Sequence, residues 1–177
     1  MLEKQSLQKS IHKIMTLPDY VTLLNLVSGL LSIYSAIHSH FTLAAFLLLA
    51  GVMFDFFDGY LARKLKKESD FGAELDSLSD LVTFGVAPMA LIMAYYRVDW
   101  LSLLSISLPV FGALRLARHN INRHLTIGYL IGLPITTGGI AIPIVVLLGL
   151  NQYFAAATII GLSIFYVSTR RVNKLSH

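Results

Sequence analysis

Apolar residues in this chain come in long runs separated by short polar junctions. A spanning helix needs about 20 mainly apolar residues, and the runs at roughly 18–38, 41–64, 72–95, 100–121, 129–150 and 152–169 approach or meet that length. They predict an all-α integral membrane protein with six transmembrane helices. Residues 3–14 differ: Leu7, Ile11 and Ile14 form one apolar stripe flanked by Lys4, Lys9 and Lys13, the pattern of an amphipathic helix lying on a membrane surface. The expected organisation is a juxtamembrane helix over 1–16 followed by one six-helix domain over 17–177.

The spans carry local punctuation. Pro18 opens the first, where a missing N–H costs little. Thr22 and Asn25 inside it fit interhelical hydrogen bonding, and His38–His40 makes a polar turn. Pro88 predicts a kink in the third, and Tyr95, Tyr96 and Trp100 fit an interfacial aromatic belt. Gly132, Pro134, Gly138, Gly139 and Pro143 predict an irregular, closely packed fifth span.

Composition agrees with a lipid environment. Of 177 residues, 55% are hydrophobic and 14% charged, against about 25% charged in soluble domains. The absence of Cys excludes disulfides and thiolate metal sites. The net charge of +4 does not point to nucleic acid, because its distribution follows topology. With six spans, Lys4, Lys9, Lys13, Arg63, Lys64, Lys66, Lys67, Arg115, Arg118, Arg123, Arg170, Arg171 and Lys174 all fall on one side, leaving only Arg97 on the other. The positive-inside rule makes that side cytoplasmic, both termini included.

The acids are concentrated too. Asp55, Asp58, Glu68, Asp70, Glu74, Asp76 and Asp80 lie within DFFDGYLARKLKKESDFGAELDSLSD. Carboxylates at membrane spans are costly and mark functional sites. Asp55, Asp58, Gly59 and Ala62 share one stripe at the end of the second span, and Gly72, Asp76 and Asp80 share one at the start of the third. The short basic link makes the two helices antiparallel neighbours, so four carboxylates can converge. Clustered unpaired carboxylates repel one another and resist ionisation; hard divalent cations (Mg²⁺, Mn²⁺ or Ca²⁺) relieve that conflict. Four carboxylates can hold two ions, an arrangement suited to in-line displacement at phosphorus. Gly59, Ala62 and Gly72 leave room for a phosphate or nucleotide, or serve helix packing; Arg63 contacts phosphate through its planar fork, or only sets topology. Glu68, Asp70 and Glu74 lie off these stripes and are expected in solvent or salt bridges.

The pattern D-x2-D-G-x2-A-R-x8-G-x3-D-x3-D, carried by Asp55, Asp58, Gly59, Ala62, Arg63, Gly72, Asp76 and Asp80, resembles the signature of the CDP-alcohol phosphatidyltransferases. The resemblance implies six transmembrane helices, a surface N-terminal helix and a homodimer. It implies Asp55, Asp58, Asp76 and Asp80 as ligands of two Mg²⁺ or Mn²⁺ ions, with Asp80 also the general base. It implies a CDP-lipid site formed by Asp58, Gly59, Ala62, Arg63, Gly72, the small hydroxyl residue Ser69, and the Pro18–Thr22 element. That element resembles the family's Pro-Asn-x-x-Thr, with Asp19 in place of the usual Asn and Thr22 retained. FGAELDSLSDLVTFGVAP, TLLNLVSG, GALRLARHN and GLPITTGG are similar to the phosphatidylserine synthase branch, although Thr136-Thr137 departs from it. The implied reaction joins CDP-diacylglycerol, or CDP-archaeol in the archaeal equivalent, to L-serine with release of CMP.

The serine carboxylate calls for a cation. Arg115 and Arg118, spaced i, i+3 at the cytoplasmic end of the fourth span, are candidates because Arg–carboxylate pairing is strong and bidentate; binding of lipid headgroups is the competing reading. His119 and His124 are expected at the interface, without a role in the reaction. Two alternatives stand beside the serine reading: a relative using glycerol 3-phosphate or inositol phosphate, and a divalent-cation transporter. The Arg among the acids argues against a cation pathway.

Overall fold

The computed structural model describes residues 14–122, 129–168 and 171–173. The expected surface helix over 3–14, the division at 1–16, and Arg123 and His124 lie essentially outside the described residues. Within them the protein is helical: α1 (Leu17–Ile37), α2 (Phe41–Leu65), α3 (Asp70–Asp80), a π-helical segment (Leu81–Val86), α4 (Ala87–Tyr96), α5 (Asp99–Ser105), α6 (Ser107–Asn122), α7 (Thr136–Leu147) and α8 (Gln152–Val167). Two short strands, β1 (Tyr129–Ile131) and β2 (Arg171–Asn173), pair antiparallel.

Among the described residues four continuous stretches, Leu17–Ile37, Phe41–Leu65, Asp70–Tyr96 and Asp99–Ile121, are long and apolar enough to cross a membrane; α7 and α8 are apolar but shorter. The helices are dressed for lipid. Leu24, Leu30, Phe46, Met53, Leu103 and Ile164 are exposed, whereas Thr22, Asn25, Ser28, Ser32, Thr83 and Ser163 are buried. A soluble protein of this kind would leave far too much apolar surface in water.

The expected fifth span, 129–150, is helical only from Thr136 onward. Tyr129–Ile131 is a strand, Gly132 takes φ +77, and Pro134 precedes the helix. Glycine adopts that left-handed conformation without steric cost, so the chain turns there despite its continuous hydropathy. The third span stays helical through Pro88. Ala87 N–H bonds the carbonyl of Val82, five residues back, and the widened turn lies just ahead of the proline. The interruption occurs as a π-helical segment directly after Asp80.

Helices α1 and α2 form an antiparallel pair joined at 38–40. Ser28 Oγ donates to the Leu47 carbonyl, and Ser32 Oγ donates to the Ala44 carbonyl at 2.8 Å. At its other end α2 stops at Lys66, whose φ of 52 reverses the chain. Ser69 then caps α3 by accepting from Gly72 N–H at 3.0 Å, as an N-cap hydroxyl does. This short turn sets the ends of α2 and α3 side by side. Phe84, Leu91, Ile92, Leu108, Ile142 and Ile159 form the buried centre behind them. Gly139 lets α7 close on Phe84, since a Cβ there would lie 2.9 Å from Phe84 Cε1.

Candidate active site

The carboxylates converge as their helical spacing predicts. Asp55 from the last turns of α2 and Asp76 and Asp80 from α3 each offer one oxygen, all within 4.8 Å of one another. Asp58 lies one turn beyond Asp55; it is buried, and its Oδ2 has no hydrogen-bond partner. Asp80 is 7% exposed, and its Oδ1 accepts from Asn25 Nδ2 at 3.2 Å.

Beside the carboxylates lies an open cavity of about 300 Å³. Its lining gathers Asp19, Thr22, Asp58, Gly59, Ala62, Arg63, Ser69, Gly72, Asp76, Asp80 and Arg115. Most residues expected for a CDP-lipid or its acceptor therefore share one space. A Cβ on Gly72 would stand 2.6 Å from Asp19 Oδ1 and 3.1 Å from Ser69 Oγ, so hydrogen at this position lets α1 close on α3. Gly59 differs. A Cβ there would meet only the Arg63 guanidinium, at 3.4 Å, so Gly59 keeps the floor beneath that cation low rather than relieving a clash.

Asp19, where the family pattern has Asn, also builds the helix. Its Oδ2 accepts from Thr16 N–H at 2.6 Å and from Thr16 Oγ1 at 3.0 Å, the part that the third helical residue plays in a capping box. The Thr22 hydroxyl donates to the Pro18 carbonyl at 3.2 Å and also meets the Asp58 carboxyl of α2.

The two candidate arginines part company. Arg115 lines the cavity, within electrostatic reach of Asp80 and Asp55, and its Nε is buried without a hydrogen-bond partner. Arg118 instead serves the end of α8. Its Nη1 donates to Val167 O at 3.0 Å, and its Nη2 donates to Tyr166 O at 3.0 Å and Ser168 O at 3.2 Å. Carbonyls at a helix C-terminus lack intrahelical donors, and the guanidinium supplies them. Of the two, Arg115 is the one in the cavity lining, while Arg118 is engaged at the end of α8. Arg118→Ala is expected to lower stability by about 1.5–3 kcal/mol, the range for hydrogen bonds to a charged group, seen as a lower melting temperature in detergent. The serine KM should stay where it is.

Several cavity residues escaped the sequence reading. Lys67, Glu68, Ser77, His119 and Asn120 line it. Asn120 Nδ2 and Ser77 Oγ lie 3.1 Å apart, tying α6 to α3. A signal was available for His119: it is four residues after Arg115 and thus on the same helix face. Asn25 shares a face with Thr22 in the same way, but nothing in the sequence names Asp80 as its partner.

Comparison with known proteins bears directly on this arrangement. The family model for CDP-alcohol phosphatidyltransferase matches residues 15–167, which includes every carboxylate of the cluster. The chain belongs to the CDP-alcohol phosphatidyltransferase family. Among curated members, the CDP-diacylglycerol–serine O-phosphatidyltransferase of Methanocaldococcus jannaschii is 45% identical over 131 residues, 74% of this chain and 60% of that protein. The enzyme of the same name from Bacillus subtilis is 37% identical over 155 residues, 86% of each chain. The archaetidylserine synthase of Methanothermobacter thermautotrophicus is 38% identical over 168 residues, 91% of this chain and 71% of that protein. The chain thus spans less than two thirds of the first relative's length and most of the other two.

For a member of this metal-dependent family, the donor set fits hard divalent cations. It consists of carboxylate oxygens from Asp55, Asp76 and Asp80, close enough to share an ion, with the unpartnered Asp58 Oδ2 beside them. Such all-oxygen sites suit Mg²⁺ or Mn²⁺.

Proposed function

We propose that this protein transfers the phosphatidyl group, or its archaeal ether-lipid counterpart, from a CDP-lipid to the hydroxyl of L-serine, releasing CMP. The observation that carries the reading is the convergence of Asp55, Asp76 and Asp80 beside a cavity lined by both Arg63 and Arg115. The relatives' names supply the acceptor.

In this reading Asp55, Asp58, Asp76 and Asp80 hold two Mg²⁺ or Mn²⁺ ions. Bound there, the ions would neutralise the pyrophosphate and the charge developing at phosphorus. Arg63 and Ser69, with the low floor at Gly59 and Ala62, hold the CDP group. Arg115 pairs with the serine carboxylate and turns the hydroxyl toward Asp80. Asp80 takes the hydroxyl proton as the serine oxygen attacks the lipid-side phosphorus. The new P–O bond forms while the bond from phosphorus to the CMP oxygen breaks, and CMP leaves with that oxygen. A general base of this kind must lie within hydrogen-bond reach of the proton it removes, and Asp80 borders the same cavity as Arg115.

The topology proposed is six crossings. The shorter α7 and α8 pack against α2 and α6 respectively, alongside the long helices. Both termini and the site then share the side that gathers every Lys and Arg except Arg97, the cytoplasmic side by charge bias.

The test is incorporation of labelled L-serine into lipid by purified protein in detergent, with CDP-diacylglycerol or CDP-archaeol as donor. Serine-labelled lipid and equimolar CMP, lost with EDTA and restored by Mg²⁺ or Mn²⁺, are expected. CMP release with glycerol 3-phosphate but not serine would replace the acceptor and keep the chemistry. Folded protein that releases no CMP with any donor or acceptor would overturn the reading and return attention to cation transport.

A further inference from the structure

Helix α1 presents a polar stripe to the protein interior. Thr22, Asn25, Gly29 and Ser32 follow at i, i+3, i+7 and i+10, so they share one face. Most of this stripe joins helices through backbone groups: Ser32 Oγ reaches the Ala44 carbonyl at 2.8 Å, and Gly29 lets Thr83 approach so closely that a Cβ would lie 2.8 Å from Thr83 Cα. Asn25 is different. It is fully buried, and its amide Nδ2 donates to Asp80 Oδ1 at 3.2 Å.

Two further contacts fix it there. The Thr83 hydroxyl, from the π-helical segment after Asp80, donates to the Asn25 carbonyl at 3.1 Å. Gly51 of α2 leaves space for the amide oxygen, since a Cβ at Gly51 would stand 3.2 Å from Asn25 Oδ1. That oxygen has no hydrogen-bond partner. An orphan buried acceptor is destabilising, and packing alone would be better served by an apolar side chain of the same size. The orientation is dictated: turning the amide over would set its oxygen, which can only accept, against a carboxylate.

We propose that Asn25 is a positioning residue for Asp80, holding one carboxylate oxygen from the α1 side so that the carboxylate keeps the orientation in which it joins Asp55 and Asp76. The proposal rests on the reading of Asp80 given above. The widened turn at Leu81–Val86 belongs to the same device, because it carries Thr83 to Asn25 while Asp80 remains on the face of Asp76. Donors behind a ligating carboxylate fix its direction, and their removal typically costs about 10–100-fold in metal affinity or activity.

The test compares wild type, Asn25→Leu and Ser32→Ala by titration with Mn²⁺ followed by electron paramagnetic resonance, and by steady-state kinetics. Asn25→Leu keeps the volume and removes the donor. Ser32→Ala removes an α1–α2 hydrogen bond two turns away. Asn25→Leu is expected to weaken Mn²⁺ binding and lower kcat, each by about 10–100-fold, with the serine KM unmoved; Ser32→Ala should match wild type in both. A second measurement leaves Asn25 intact: in ¹⁵N-asparagine-labelled protein, its side-chain amide resonance should move on adding Mg²⁺ and in Asp80→Asn. Wild-type Mn²⁺ affinity and kcat in folded Asn25→Leu would overturn this proposal and leave the proposed function standing. So would an amide resonance indifferent to Mg²⁺ and to Asp80→Asn. Wild-type protein that neither binds Mn²⁺ nor releases CMP would overturn both.

Discussion

Asp80→Asn should release CMP on the order of 10³-fold more slowly than wild type, within the range general-base catalysis commands, while purifying as the same folded protein. The substitution keeps the size of a side chain that is 7% exposed and packed among helices. It removes the capacity to take a proton, and it replaces an oxygen of the Asp55, Asp76 and Asp80 cluster with an amide end that binds cations poorly. Asp70→Asn is the matched control. Asp70 begins α3 only ten residues earlier but is exposed and absent from the cavity lining; it costs no more than the few tenths of a kcal/mol to about 1 kcal/mol of a helix-terminus charge. Turnover by single-turnover CMP release and thermal melting, measured on the same samples, separates the two outcomes. Wild-type turnover in Asp80→Asn would remove Asp80 from the chemistry altogether.

The second large effect is expected at Arg115. Arg115→Ala should raise the serine KM by about 10–100-fold, the equivalent of a lost hydrogen bond to a charged group at roughly 1.5–3 kcal/mol. The KM for the CDP-lipid should hold, since that end of the cavity has Arg63 and Lys67. Arg115→Lys keeps the charge but loses the planar fork, so partial recovery is expected. The Arg115 Nε is buried in the wall of the cavity with no hydrogen-bond partner. An arginine serving only topology or lipid headgroups would point its fork outward. Unchanged serine KM in both variants would assign the carboxylate to another group.

These two arginines show how far a linear sequence carries. Positions 115 and 118 share a helix face, and spacing alone offers both to one ligand. Three residues still turn a helix by about 300°, which leaves the side chains some 60° apart. At the end of α6 that divergence is enough for one to meet the cavity and the other the last carbonyls of α8. The distinction depends on where α8 ends, which is a tertiary fact.

The acidic cluster was legible for the opposite reason. Its members sit on two consecutive helices joined by a short turn, so helical periodicity and one antiparallel pairing suffice to bring them together. Asn25 was legible as a buried polar residue but not as a neighbour of Asp80, 55 residues away. The fifth span was misjudged from Tyr129 to Ile135 because hydropathy runs smoothly through that segment. The backbone turn at Gly132 interrupts it nonetheless.

The serine hydroxyls between α1 and α2 bear on how the protein is made. Ser28 and Ser32 donate to carbonyls of α2 itself, so these bonds draw on nothing later in the chain. A ribosome delivers α1 and α2 first, and this hairpin can settle in the bilayer while α3 is still being synthesised. Asp55 and Asp58 are then already placed at one end of a preformed support. Asp76 and Asp80 arrive against it as α3 inserts, and Asn25 is waiting on the support to receive Asp80. Assembly of the site would follow the direction of translation, each helix docking on a surface completed before it.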